Sequence, residues 1–589
     1  MAVYSLLYIH VFQLDALPLL NVPQIAAFSV DLAASNNTAS ITSVLGTIQN
    51  TDVLSFLDSL NAAATARNVS GLSPQMAQAL LNKTFEAIRS NISTFSTSQF
   101  QKLFQNQLNF ALPQITPGLL SVIPQNINCS SYQVILKSLD SSFNQMDPGN
   151  QQNIYNSFIK PFLKMSGPAC AQNTSTSSFL TQNFGKFSQF ADYSDIMASN
   201  GAFNAMDVLP SLTTQQKASF SLTLNASSDS STAASIVGTL QNTNDLFDFL
   251  NNLNTGIASK NISSVNGPLS QALLNKTFDA IKANVSTFNK SDWTQLFQNR
   301  ISALLPQISS QQLSLIPTNI PCDTYQAILT SLNSNFPKMT SGTQQDAYNS
   351  LVKPYLNQQG PSCAQNVGSS ALLQQYFGKF SQFASYKDFL NINKNFSGGD
   401  VLSSLTTSQV IDFSVDPNIN PTVASGIVAT IQSQADVNTF LTGVKSSASA
   451  SNVNSLSPYL SKSLLAKSFQ LLAPSFNTYS SSDWSGLFQN KLSLVLPSIS
   501  KDQLTLIPSN ISCDSYRPIL SSLDSSFSKL TPSSQGDVYK SFIKPYLKQK
   551  GDFIDHRPTR YRNIIFTGSG LIGMGNPFFY SYNTPTSIL

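Results

Sequence analysis

The chain has 589 residues and a mass of 63.8 kDa, enough for about four domains of ~150 residues. A mean hydropathy of −0.04 with 41% hydrophobic and 10% aromatic residues indicates a globular protein and excludes wholesale disorder. Charged residues total only 11%, where soluble domains carry about 25%, and Glu86 is the single glutamate. A formal charge of +4 with no basic run in the main body leaves no electrostatic footprint for nucleic acid or an anionic membrane. Two histidines, His10 and His556, give little material for imidazole catalysis or a multi-histidine metal site.

The chain opens with MAVYSLLYIHVF, an apolar stretch of signal-peptide length with no Lys or Arg before Arg67. Residues 1–14 are therefore expected to be a poor signal peptide or the start of a fragment of a longer array. The dominant feature comes next. LFQNQLNFALPQI at Leu103–Ile115 recurs at Leu296–Ile308 and at Leu487–Ile499. IPQNINCSSYQVIL around Cys129 returns around Cys322 and Cys513, and SFIKPFL at Ser157 returns at Ser350 and Ser541. Phased on Asp15, Asp207 and Asp400, the copies run over 15–206, 207–399 and 400–551, the third cut short. Residues 552–589 match no copy. They hold three of the seven arginines, and this shift in composition suggests an alternative or erroneous terminal exon.

Within a copy the apolar spacing is helical. Leu103, Phe104, Leu108 and Leu112 fit one broad helix face ending at Pro113. Thr116-Pro117 predicts an N-cap and first turn of a short helix ending near Pro124; Asp147-Pro148 and Thr531-Pro532 predict the start of a longer one. About eight to ten short helices per copy are expected and few strands, so the fold class is all-α: three tandem units of about 192 residues, as a superhelix or as helical globules in a row. Without glutamates to pair with Lys and Arg, helix stability must come from packing.

Cys129 and Cys170 are 41 residues apart, as are Cys322 and Cys363. The partner position of Cys513 is occupied by Ile554, so Cys513 is expected to be unpaired. Two disulfides follow, each worth roughly 4 kcal/mol on a chain-entropy estimate, with buried free thiols as the alternative. Two cysteines and no repeated histidine per copy make a zinc site improbable. Disulfides place the chain in an oxidising compartment. Thirteen Asn-x-Ser/Thr sites occur. Asn82 and Asn275 share the sequence LLNKTF, and Asn91 and Asn284 also correspond, so glycosylation is expected at these four. No apolar run is long enough to span a membrane.

The positions kept in all three copies are mostly apolar, aromatic or proline, such as Tyr132/Tyr325/Tyr516 and Pro161/Pro354/Pro545, which reads as packing. The kept charges are the Asp15, Asp52, Lys83 and Lys160 sets. Asp52 precedes an apolar helical run and is expected as an N-cap or first-turn carboxylate; Lys160 is expected as a solvated head on an apolar stem, or as half of an internal Asp–Lys pair. No nucleophile–base pair, paired carboxylates or metal cluster is visible, so no catalytic, cofactor-binding or metal-binding residue is assigned and no enzyme is expected. GSGLIGMG at Gly568 lacks the context of a phosphate loop.

The IPxNIxCxSYQxIL and FGKFSQFA motifs (the latter at Phe184 and Phe377), with their helix-stop-helix rhythm, resemble large extracellular tandem-repeat proteins of the mesothelin, stereocilin and otoancorin kind. That resemblance implies a secreted or surface-tethered, glycosylated, superhelical and adhesive protein. The expected function is non-enzymatic adhesion or matrix contact with protein or glycan partners, avidity adding weak contacts across the copies. A secreted carrier of apolar small ligands, with one cavity per unit, is the alternative.

Overall fold

A computed structural model describes residues 19–32, 38–67, 69, 71–223, 229–262, 265 and 267–550. The opening fourteen residues, Asp15, and the tail with His556 and Gly568 lie outside the described residues. Among those described, every regular element is helical and no strand is present. The fold is all-α.

The helices are short because the chain supplies a stop and a cap every few turns. Ser73, Asn128, Ser175 and Thr340 each accept a hydrogen bond from the free amides of the turn they precede. The scarcity of glutamate does not prevent capping boxes, because Gln or Asp takes the third position. Ser96–Gln99, Thr213–Gln216, Thr406–Gln409, Ser433–Asp436 and Ser480–Asp483 close reciprocally on the backbone. Other ends are closed by asparagine. After helices Thr243–Ser259 and Gln434–Ala450, Asn261 (φ 50°) and Asn452 (φ 55°) adopt the left-handed conformation. The amides of Ile262 and Val453 then turn back to the carbonyls of Ile257 and Ala448, which satisfies otherwise orphaned acceptors.

Two local expectations change, and the Asp52 set takes the N-cap and first-turn positions expected of it. The run through Leu103 does not stay helical to Pro113: it ends in a π-helical turn at Lys102–Gln107, and Pro113 opens a separate one-turn 3-10 helix, Leu112–Gln114. The break comes where the Leu108 amide reaches back to the Leu103 carbonyl, a wide closure that ends the i to i−4 ladder. The helix after Thr116 is only Pro117–Leu120, and the Thr116 hydroxyl makes no capping bond. Asp52 stands at the N-cap of Val53–Ala66 without a side-chain capping bond, whereas Asp245 and Asp436 lie in the first turns of their helices, capped by Asn242 and Ser433.

The kept prolines also find a reason. Pro161, Pro354 and Pro545 each follow a π-helical turn, Tyr155–Ile159, Tyr348–Val352 and Val538–Ile543, inside a longer helical rod. A proline inside a rod has no N–H to donate and its ring crowds the carbonyl four residues back, and the widened turn relieves both.

Two compact bodies result, and their boundaries differ from those of the sequence copies. One holds the described residues up to 367 together with 371–383; the other holds 368–370 and the described residues from 384 onward. In the first body Val22–Asp31 packs on Val53–Ala66 and Thr214–Ser221 on Thr243–Ser259; in the second, Thr407–Phe413 packs on Gln434–Ala450. The cores are dense in aromatic rings, with Phe104, Phe297 and Phe488 fully buried.

A turn at Gly185 (φ 52°) and one at Gly378 (φ 56°) require glycine twice over: the backbone is left-handed, and a Cβ would collide with Asp140 or Asn333. The same two side chains accept hydrogen bonds from the amides of Lys186 and Lys379. Asp140→Asn is expected to preserve stability, since Asn333 already performs the task. Asp140→Ala should lower it by about 1 kcal/mol, seen as a lower urea midpoint at unchanged m-value. The capping carboxylates also set a pH dependence. Hydrogen bonds from Ser231 and Thr232 hold the Asp229 carboxyl down to about 2, and hydrogen bonds at the caps likewise lower Asp436 and Asp483. A depressed folded-state value stabilises above the unfolded carboxylate range, and that stability is lost as pH falls through the folded value. Thermal denaturation followed from pH 7 to pH 2 should show the melting temperature falling mainly below about pH 4.

Candidate functional site

The residues that recur most strictly build a cystine-clamped aromatic block. Cys129 is the first residue of helix Cys129–Ser142 and Cys170 the last of Lys160–Cys170, so one bond ties the start of one helix to the end of another. The two form a disulfide with Cα atoms 5.5 Å apart, and Cys322 and Cys363 form another at 5.8 Å. One turn inside each clamp, Tyr132 stacks flat on Phe162 at 3.9 Å and Tyr325 on Tyr355 at 3.8 Å. The buried hydroxyls donate onward, Tyr132 to the carbonyl of Asn183 (2.7 Å) and Tyr325 to that of Tyr376 (2.8 Å). The third copy has the stack, Tyr516 on Tyr546 at 3.8 Å, but no disulfide. Its Cys513 is an exposed free thiol whose sulfur accepts a hydrogen bond from Tyr546 at 3.4 Å. Ile554 lies outside the described residues.

The electrostatics of the block are those of packing. Burial pushes the Tyr132 and Tyr325 hydroxyls well above the usual phenol range and brings Tyr355 and Tyr516 up to about 12. These groups stay protonated, and Tyr132, Tyr325 and Tyr355 donate to main-chain carbonyls.

Lys160 is not simply a solvated head. Its ammonium lies 2.8 Å from Asp195 Oδ2, and the same carboxylate oxygen accepts from the Tyr155 hydroxyl at 3.0 Å. Burial first, and then the Asp195 charge, raise Tyr155 far above its ordinary value, so the phenol cannot act as a base. The internal Asp–Lys pair is therefore present in the first copy, but with Asp195 rather than an aspartate of the Asp15 or Asp52 sets. Asp195 escaped the sequence reading although Asp388 stands 193 positions later; the signal was there, in DYSDI and SYKDFL. Lys83, Lys276 and Lys467 are half-buried along helices Pro74–Ile88, Gly267–Ile281 and Pro458–Leu472.

Four sequon asparagines fall into two kinds. Asn82 and Asn275 are exposed on helices, but the hydroxyls of Thr84 and Thr277 are buried and donate to the carbonyls of Leu80 and Leu273. Asn91 and Asn284 are exposed just before the short 3-10 turns Ile92–Thr94 and Val285–Thr287, with Ser93 and Ser286 also exposed. An open groove of about 600 Å³ runs past Asn254, Asn261, Ser302, Asn335 and Lys338, with Ile257 and Ile262 as its apolar part. Ala258 and Ala303 also line it, so its wall is of mixed character. Among the described residues no group of three or more His, Cys, Asp or Glu could hold a metal ion.

Lys217 is buried in helix Thr214–Ser221, and that burial lowers its pKa against the opposing effect of Asp245. The corresponding position of the third copy is Val410, also buried. No family model matches the chain, and neither a curated protein nor a solved structure matches it.

Lys217→Val should leave stability unchanged or raise it, read as an equal or higher urea midpoint. Tyr132→Phe should cost about 1 kcal/mol through the orphaned Asn183 carbonyl. In native, non-reduced protein a maleimide should label Cys513, and peptide mapping should recover Cys129 joined to Cys170 and Cys322 to Cys363.

Proposed function

We propose that this chain is a non-enzymatic extracellular repeat protein, secreted or surface-associated, that presents a helical, weakly charged surface to protein or glycan partners on cells or matrix. The observation that carries the reading is the pair of disulfides at identical sequence separation, each clamping the same two helices of its copy. Cross-links of this kind persist in oxidising compartments and are rare in reducing ones.

Three further features support it. Polarity comes from Ser, Thr, Asn and Gln, which cap helices and also leave exposed sequons at Asn91 and Asn284. Among the described residues no helix is long and apolar enough to cross a membrane. In the first two copies the kept rings Tyr132, Tyr325, Phe143 and Phe336, which a binding pocket would need open, are buried against other rings. The resemblance to mesothelin-type repeat proteins points the same way, and glycans at Asn91 and Asn284 belong to the proposal.

Cells plated on immobilised protein should attach above the level of an albumin-coated control, with attachment scaling with the surface density of the chain as avidity requires. Absence of attachment to epithelial, mesenchymal and matrix-coated surfaces alike would remove the adhesive role. Recovery of Cys129, Cys170, Cys322 and Cys363 as free thiols from the native source would remove the compartment.

A further inference from the structure

One wall residue of the groove past Asn254 sets the second copy apart. Ala303 stands where the first copy has Phe110 and the third has Leu494, both half-buried. A methyl group in that place leaves room, in a groove of about 600 Å³ that falls within the range of small-molecule sites. The hydrogens of Asn254 Nδ2 go to the carbonyls of Asn299 and Arg300, at 2.6 and 2.8 Å, and the hydroxyls of Ser302 and Ser334 donate to those of Asn299 and Thr330. With these donors used inside the protein, the side-chain oxygens remain to accept. Ile257, Ile262, Ala258 and Ala303 add apolar surface beside them. A group that suits this wall brings hydroxyl donors on a partly apolar body, which is the chemistry of a sugar.

The chain itself has an attachment point for a sugar in the same wall. Asn261 lines the groove, is exposed, and occupies the left-handed turn after helix Thr243–Ser259. It heads the sequon Asn261-Ile262-Ser263, and the first copy reads Asn68-Val69-Ser70 at the same place, with Asn68 outside the described residues. The third copy makes the same left-handed turn at Asn452 but reads Asn452-Val453-Asn454. The turn therefore accounts for the asparagine and not for the serine two residues on.

We propose that Asn261 carries an N-linked glycan whose innermost N-acetylhexosamine is seated in this groove. The inference rests on the extracellular reading above, because this modification belongs to secreted chains. The bond is made by group transfer from a lipid-diphosphate-linked oligosaccharide. Asn261 Nδ2 attacks the anomeric carbon, a C–N bond forms as the C–O bond to the diphosphate breaks, the diphosphate leaves with the electron pair, and the nitrogen gives up one proton. The sugar hydroxyls then donate to the side-chain oxygens of Asn254 and Asn335, and the acetamido methyl packs on Ala258 and Ala303. Attachment makes these contacts intramolecular, so weak ones suffice to hold the ring. Asn91 and Asn284 are not among the residues that line this groove and serve as references.

Glycopeptide mapping of the full chain from its native source should find Asn261 modified. The folded protein is then digested with a peptide N-glycosidase, which cuts between the asparagine and its first sugar. Release at Asn261 should be about tenfold or more slower than at Asn91 or Asn284, because the seated sugar shields the bond. Ala303→Leu, made in the same cells, puts into the groove the side chain that the third copy has there. It should leave the circular dichroism unchanged and raise the Asn261 rate to that of the references. A bare Asn261 in a chain glycosylated at Asn91 or Asn284 overturns this proposal alone, whereas a chain bare at all three overturns the compartment reading with it. Release at Asn261 as fast as at the references, or slow release untouched by Ala303→Leu, overturns the seating in the groove.

Discussion

The donation from a buried tyrosine hydroxyl to a main-chain carbonyl, beneath a flat aromatic stack and a cystine, is the constraint on which each of the first two copies depends. Tyr132 and Tyr325 are fully buried, so each hydroxyl must find an acceptor inside the protein. The acceptor lies 51 residues further along the chain, at Asn183 or Tyr376, and the bond fixes where that later segment must lie. The disulfide ties the start of the same helix to the rod Lys160–Cys170 or Lys353–Ala364. Between them, one helix is held to the rod before the clamp and to the segment after it.

A chain this poor in charge holds its helices by other means. Ion pairs among the described residues are mostly exposed, such as Lys102–Asp58 and Lys290–Asp323, and exposed pairs add little. Ser, Thr, Asn, Gln and Asp instead close helix ends, and Gln216 shows how far this goes. Its side chain completes a capping box with Thr213 and also donates to the carbonyls of Ser188 and Ala191, which joins a local cap to a tertiary contact. Salt should matter less to such a protein than acid, since a neutral hydrogen bond is not screened and a capping carboxylate is neutralised by protonation.

Differences among the copies are as informative as their likeness. Asp140 and Asn333 perform one task with a charged and a neutral oxygen, so the charge there is dispensable to the turn. Phe162, Tyr355 and Tyr546 fill one stacking position; the added hydroxyl of Tyr355 donates to the Ile320 carbonyl at 3.2 Å and lies 3.5 Å from the Cys363 sulfur, and that of Tyr546 donates to the free thiol of Cys513. Interchange of this kind marks shape as the property retained, which accords with the proposed role of presenting a surface.

Much was legible in the residues themselves. The all-α class followed from apolar spacing and the density of caps, because helix periodicity and capping are local properties. The cystine pairing followed from an equal spacing of 41, and Cys513 stood out because its partner position holds Ile554. Tertiary structure decided what no local pattern encodes. It ended the Leu103 helix at Gln107, six residues before Pro113. It brought Asp195 to Lys160 across 35 residues and divided the chain into two bodies that ignore the copy boundaries. The physical reason is common to all of these. A residue's chemistry is local, but its burial depends on what another part of the chain places over it, and that is a property of the assembled fold.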